Sequence, residues 1–275
     1  MPPPSRPIVF LSDFGLSNEW VGICHAVLNR IAPDSHIVDL SHLVPPLDVL
    51  SGASLLADSL PYIGEDAVVL AVVDPNVGKD REVAIEAVGG RLLVGPDNGL
   101  LAPAWTVLGG VGKAVEIASE DVIVRPVSQS FRARDTFCPA AAHLASGMAL
   151  EQVGPEIDPS TLTELTVPEP ETHPGKIRCE VVEFNRFGNV KLNVREAHLA
   201  AAGLADAEKL EVEAASGSTQ ARRGSTYADF EPGEYGVLFD PRGWLMVVRG
   251  NPESALQGLG LATGDPVWIS PASAG

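Results

Sequence analysis

The sequence predicts a two-domain protein: an N-terminal α/β domain built on a parallel sheet, then a small all-β domain of barrel-like type. Three observations predict it. The first half alternates short apolar runs with segments of helical periodicity, which implies parallel strands joined by right-handed crossovers. Residues 154–175, "GPEIDPSTLTELTVPEPETHPG", carry five prolines and little periodicity, the mark of a boundary. Beyond it the texture changes to short strand-like runs separated by turns.

Taken in order, "PIVFLSD" reads as a buried strand and "EWVGICHAVLNRIAP" as a helix that stops at Pro33. "HIVDLSH" is a second strand, "LDVLSGASLLADSLPYI" a helix, and "DAVVLAVVD" a third strand. Two further strands, "EVAIEAVG" and "RLLVGPDNG", precede a helix in "LLAPAWTVLG", a short strand near "KAVEIA" and an Ala-rich helix, "TFCPAAAHLASG". After the Pro-rich stretch, "KIRCEVVEF", "NVKLNV", "KLEVEAA", "YGVLFD", "WLMVVRG" and "DPVWIS" read as the strands of the β domain. The expected bounds are 1–160 and 174–275, with 161–173 as linker.

The 275 residues suffice for a sizeable core, and a formal charge of −17 argues against a nucleic-acid partner, which would need a basic face. Three scattered cysteines (Cys24, Cys138, Cys179) fit a reducing compartment without a disulfide framework or a CxxC site. The N-terminal apolar run is four residues long, too short for a signal peptide or anchor, and no later run approaches spanning length. A soluble cytoplasmic protein with no membrane partner is the expectation. The six histidines do not fall at metal-ligand spacing with cysteines or carboxylates, so no metal is expected.

In open parallel sheets ligands sit beyond the carboxyl ends of the strands. Asp13 follows the first strand, Asp39 and His42 close the second, and Asp74 follows the third, so three acidic strand ends are expected on one edge. "VVDPNVGKDR" (72–81) places a carboxylate, Asp74, and a guanidinium, Arg81, at the two ends of one tight loop. The remaining motifs each have a bland reading. Asp13 in "SDFG" suits a helix cap, and "PDNG" (96–99) is on local evidence a turn. In "SFRARDTFCPAAA", Asp135 suits a helix start, with Arg132 and Arg134 in solvent. No GxxxxGK[ST] phosphate loop exists, and "GLGLATGD" lacks dinucleotide spacing.

Taken together, SDFG, VVDPNVGKDR, GPDNGLL, SFRARDTFCPAAA and RFGNVKLNV, in this order and on an α/β-then-β plan, resemble the S-adenosylmethionine hydroxide adenosyltransferases and their fluorinase and chlorinase relatives. The resemblance runs from about Pro7 to about Ser270. It implies a homotrimer that binds S-adenosylmethionine between the N-terminal domain of one subunit and the β domain of a neighbour. It implies no cofactor beyond that substrate. Water would attack the ribose 5′ carbon to give adenosine and methionine.

Carried over residue by residue, the resemblance gives Asp13 the ribose, Asp74 and Arg81 the attacking water, and Asn189 the methionine end. Tyr227 falls against adenine and Arg242 near the purine. Arg132 stands with Ala133 where the family pattern FHGRD has His and Gly. An arginine there cannot relay a proton. As a second cation it could lower Asp74's pKa by ~1–3 units. Two outcomes stay open: Arg132 points away or steadies developing hydroxide, leaving Asp74 as sole base, or two arginines build an anion site for an anionic nucleophile. Asn185 replaces the usual Asp of "DRFGN", removing a charge. Halide-using relatives carry a neutral residue at the Asp74 position, and Leu47 and Ala133 offer a halide no hydroxyl or indole. Water is therefore the expected nucleophile. The alternatives are a halide-dependent adenosyltransferase and a non-catalytic protein that binds S-adenosylmethionine or adenosine.

Overall fold

The computed structural model describes residues 5–165, 167–250 and 253–272. The chain folds as two compact units, Met1–Thr166 and Val167–Gly275. Position 166, in the expected linker, lies outside the described residues, as do 251–252 and 273–275 in the expected β domain.

The first unit is a six-stranded sheet with helices on both faces. Its strands are β1 (Ile8–Ser12), β2 (Ile37–Ser41), β3 (Val68–Val72), β4 (Glu82–Ala87), β5 (Leu92–Pro96) and β6 (Val111–Glu116), in the order β2-β1-β3-β5-β4-β6. The helices are α1 (Trp20–Ile31), α2 (Val49–Ser59), α3 (Ala102–Val107) and α4 (Cys138–Ala145). Strands covered on both faces read as unbroken apolar runs, because alternate residues serve two cores. In β3, Val68, Leu70 and Val72 face a core shared with α1 and α4, while Val69, Ala71 and the following Val73 face one shared with α2 and α3.

The expectation of a parallel sheet holds for β1, β2, β3 and β5, but β4 runs antiparallel to both β5 and β6. The reason is the connection from β4 to β5: Ala87 and Arg91 already pair across it, and so short a loop permits only a hairpin.

The second unit is a closed barrel. Its strands are β7 (Glu171–His173), β8 (Lys176–Phe184), β9 (Val190–Arg195), β10 (Lys209–Ala214), β11 (Gly217–Arg223), β12 (Tyr235–Phe239), β13 (Trp244–Arg249) and β14 (Pro266–Pro271). The order is β14-β10-β11-β12-β13-β9-β8-β7, and a further β14–β8 pairing closes the barrel, with β7 left on its margin. Inward residues alternate as the period of a strand demands: Ile177, Cys179 and Val181 on β8, and Val190, Leu192 and Val194 on β9. β7 pairs with β8, so the second unit begins inside the stretch expected as linker.

β11, "GSTQARR", carries no apolar alternation. It is held by pairing with β10 along its length, and among its residues only Ala221 is buried.

Outside the barrel, Phe230 lies on bare backbone. A Cβ added at Gly236 would sit 2.1 Å from its ring, and one at Gly224 would sit 2.4 Å away. We expect Gly236→Ala to expel the ring and cost about 1–3 kcal/mol, the range for overpacking. Urea unfolding measures it, and a variant as stable as the parent would contradict this packing.

Candidate active site

β1 and β3 pair in parallel with Ser12 opposite Val72, so Asp13 and Asp74 leave the sheet side by side at its carboxyl edge. Both line one cavity of about 630 Å³. That size suits a small organic ligand. Its apolar wall includes Phe14, Trp20, Phe131 and Phe137. Phe14 meets Trp20 and Phe131 edge-on, at 6.2 and 6.3 Å between ring centroids.

Asp13 does not cap α1; its Oδ2 accepts the N–H of Leu47 at 2.8 Å. Leu47 is the non-glycine residue with positive φ among those described, at 65°. A left-handed leucine is strained and persists only where its surroundings enforce it. Here it follows Pro45-Pro46 and lines the cavity. Burial raises the Asp13 pKa, against the lowering effect of the Leu47 and Asp13 backbone N–H groups.

Asp74 is buried and accepts the Asn76 N–H on Oδ1 at 2.9 Å, forming a local turn that fixes its rotamer. Burial first, and then the charges of Asp80 and Asp13, raise its pKa above the ordinary carboxylate value. The ionised form is thus disfavoured by folding. Stability linked to this group is complete below the unfolded-state pKa and is lost as pH rises through the raised folded value. Asp74→Asn keeps the acceptor for Asn76. We expect it to be more stable than the parent at about pH 7, with the difference closing toward about pH 4. Urea unfolding at both pH values checks this; a parent more stable than the variant at neutral pH would refute it.

The expected Asp74–Arg81 couple is not formed. Arg81 donates from Nε to Asp97 Oδ2 at 2.9 Å, and from its Nη atoms to the Thr161 hydroxyl at 3.1 Å and the Thr161 carbonyl. Asp97 also accepts the Thr163 N–H at 2.7 Å. The reason is register: Glu82 pairs with Pro96, which brings Arg81 level with Asp97. "PDNG", a plain turn on local evidence, is therefore the clamp of this region. Asn98 adds a bond from Nδ2 to the carbonyl of Val73, next to Asp74, at 2.9 Å.

Arg132 does line the cavity, yet its Nε lies 3.1 Å from Glu82 Oε1 in a largely buried ion pair. Arg132 is not among the groups that act on Asp74, whose pKa is raised rather than lowered, and its own charge is paired with Glu82. Arg134 and Asp135 form a two-point pair at 2.6 and 2.7 Å, and Asp135 Oδ2 also accepts the Ser128 N–H. Asp135 does stand in the first turn of a helical segment, Ala133–Phe137, that runs into α4, but it is buried there, and Arg132 is paired with Glu82 rather than free in solvent.

Asp39 does not line the cavity with Asp13 and Asp74. Its Oδ1 faces His25 Nε2 at 2.8 Å and His42 Nε2 at 3.0 Å, so two histidines distant in sequence meet one carboxylate. Spacing along the chain gives no sign of this group; crossover of α1 and the parallel pairing of β1 with β2 create it.

Asn189, Tyr227 and Arg242 lie in the second unit. Asn189 immediately precedes β9 and is buried; its N–H, like that of Phe187, bonds Asn185 Oδ1. Asn185 needs only acceptor oxygen for this, so the missing charge leaves the turn intact. Tyr227 is exposed on a turn braced by Asp229, which accepts the Ser225 and Thr226 N–H groups. Arg242 follows β12, with its N–H on Asp240, and burial lowers its pKa. Among the described residues no helix is long and apolar enough to cross a membrane.

The family model for the SAM hydroxide adenosyltransferase N-terminal domain matches residues 8–154, and that for the C-terminal domain matches residues 179–268. A Salinispora tropica protein named (R)-S-adenosyl-L-methionine hydrolase is 42% identical over 268 residues, spanning 97% of this chain and 98% of that one. A fluorinase of Actinopolyspora mzabensis is 28% identical over 275 residues, spanning 89% and 91%. The crystal structure of an uncharacterized conserved protein from Thermotoga maritima matches with a TM-score of 0.85 at 29% identity, spanning 95% of this chain and 99% of that one. An α/β unit with paired carboxylates at its sheet edge, joined to a β-barrel, here defines an enzyme of the adenosyltransferase class. The chain belongs to the SAM hydroxide adenosyltransferase family.

Proposed function

We propose that this enzyme hydrolyses S-adenosylmethionine, with Asp74 as general base. Water held by Asp74 attacks the ribose 5′ carbon. The new O–C5′ bond forms as the C5′–S bond breaks, and the sulfonium takes the electron pair and leaves as neutral methionine thioether. The water proton passes to Asp74 and then to solvent. The observation that carries this reading is the pairing of Asp13 and Asp74 in one aromatic-walled cavity, with Asp74's pKa raised by burial. A raised pKa makes a carboxylate a stronger base at neutral pH. The two acids also favour a cationic ligand.

Asp13 suits two ribose hydroxyls, since each carboxylate oxygen can accept one. Arg81 acts on the water only through the loop that it ties to Asp97. Arg132, neutralised by Glu82, serves as a wall of the cavity rather than a proton relay. Asn189, Tyr227 and Arg242 would take the methionine end and the purine from a neighbouring subunit of a homotrimer. The exposure of Trp20, Leu47 and Val77 on the cavity supports a covering partner. Free Cys24, Cys138 and Cys179 support a cytoplasmic location.

The test is incubation of pure protein with the (R) and (S) sulfonium epimers of S-adenosylmethionine, with adenosine followed by chromatography in the presence and absence of chloride and fluoride. Adenosine formation without halide is expected, because a carboxylate at position 74 repels a halide ion in a desolvated pocket. A halide-dependent product would establish the halogenase reading instead. Tight binding with no turnover would establish the binding protein.

A further inference from the structure

We propose that His25, Asp39 and His42 form a binding site for one divalent transition-metal ion of the zinc type. His25 comes from α1, Asp39 from β2 and His42 from the segment just after it. One ligand atom from each lies within 4.8 Å of the others, and both imidazole Nε2 atoms converge on Asp39 Oδ1, at 2.8 and 3.0 Å. Tetrahedral zinc with bonds of ~2.0–2.1 Å to nitrogen and oxygen holds its ligand atoms roughly 3.3 Å apart. The triangle therefore needs only small side-chain adjustments to enclose an ion.

A second observation separates this cluster from a chance meeting of polar groups. The His42 side chain is 2% exposed, and its Nε2 is buried with no aligned hydrogen-bond partner although Asp39 is close. Its ring is held from behind. Nδ1 lies 2.7 Å from Ser12 Oγ, and the Phe10 ring packs against it at 4.7 Å between centroids. An outer hydrogen bond on one ring nitrogen, with the other nitrogen aimed into a shared space, is the arrangement that orients metal-bound histidines. His25 and Asp39, at 31% and 41% exposed, leave an open side for entry and for a water ligand.

Two imidazoles and one carboxylate suit zinc, nickel or cobalt over calcium or magnesium, which prefer all-oxygen sites. None of the three residues lines the cavity of Asp13 and Asp74. The ion would tie β2 and the segment after it to α1, and Ser12, the neighbour of Asp13, bonds the back of His42.

The experiment is calorimetric titration of the chelator-treated full-length protein with zinc chloride, alongside visible absorption with cobalt(II) as spectroscopic probe. One ion per chain and a cobalt d–d band are expected. Both should be lost in His25→Ala and in Asp39→Asn, which change partly exposed side chains and should leave the fold intact by circular dichroism. Ser12→Ala should weaken binding about 10–100-fold, as loss of an outer hydrogen bond does. Absence of one-per-chain binding to the parent, or equal binding by His25→Ala, would overturn the proposal and leave a hydrogen-bonded triad with adventitious surface ions.

Discussion

Asp74→Asn is expected to slow adenosine release by about 10²–10⁴-fold, the usual contribution of a positioned general base. This corresponds to about 2.7–5.4 kcal/mol of transition-state stabilisation. The asparagine keeps an oxygen for the Asn76 N–H, which bonds Asp74 at 2.9 Å, so the loop and the cavity retain their shape. The loss should therefore fall on kcat and leave KM nearly unchanged. Asp13→Asn should do the reverse, because a ribose-binding group contributes to ground and transition states alike. In the parent enzyme, kcat should climb with pH through the raised pKa of Asp74 and then level. The direction follows from the base: below its pKa it already carries the proton it must accept, and burial raises that pKa from its ordinary value. Single-turnover chromatography against pH measures this. Undiminished turnover by Asp74→Asn would end the assignment of Asp74 as base.

The second large effect is expected at the clamp beneath that loop. Arg81→Met leaves Asp97, a buried carboxylate, without its cation. Removing one partner of a buried pair costs about 3–5 kcal/mol; the partial exposure of Arg81 argues for the lower end. The Thr161 contacts are lost as well. Activity should fall together with stability, because Asp74 stands on the same loop. The informative partner is Asp97→Asn, which never approaches the water. If Arg81 acts by holding the loop, the two variants should share one activity defect, and the double variant should add little to either. If Arg81 instead touches the nucleophile, Asp97→Asn should keep near-parent kcat while Arg81→Met loses it. Denaturation curves and kcat for the four proteins of this double-mutant cycle decide between the two.

The same geometry shows why sequence logic succeeds for one part of the site and fails for another. A carboxylate just past a buried parallel strand must emerge at the sheet's carboxyl edge, so Asp13 and Asp74 were legible from two short runs. The partners of Arg81 and Arg132 were not. Asp97 is 16 residues from Arg81, and Glu82, at the start of β4, reaches Arg132 some fifty residues further along the chain. Nothing in "VVDPNVGKDR" or "SFRARD" records those registers. The Arg132 departure from the family's histidine is matched electrostatically by Glu82. That match could be recognised only once β4 was seen lying beside the turn that follows Arg132.

By itself the sequence determined the α/β-then-β plan, most elements, the order of the family motifs and the carboxylates at the sheet edge. These rest on local periodicity, turn chemistry and strand direction, which are written in neighbouring residues. The tertiary structure alone decided that β4 runs antiparallel, that β11 is a strand, that Arg81 serves Asp97, and that His25, Asp39 and His42 meet. Each depends on which distant segments pair and in what register. That choice is made by burial summed over whole strands and helices, so no short stretch of residues contains it.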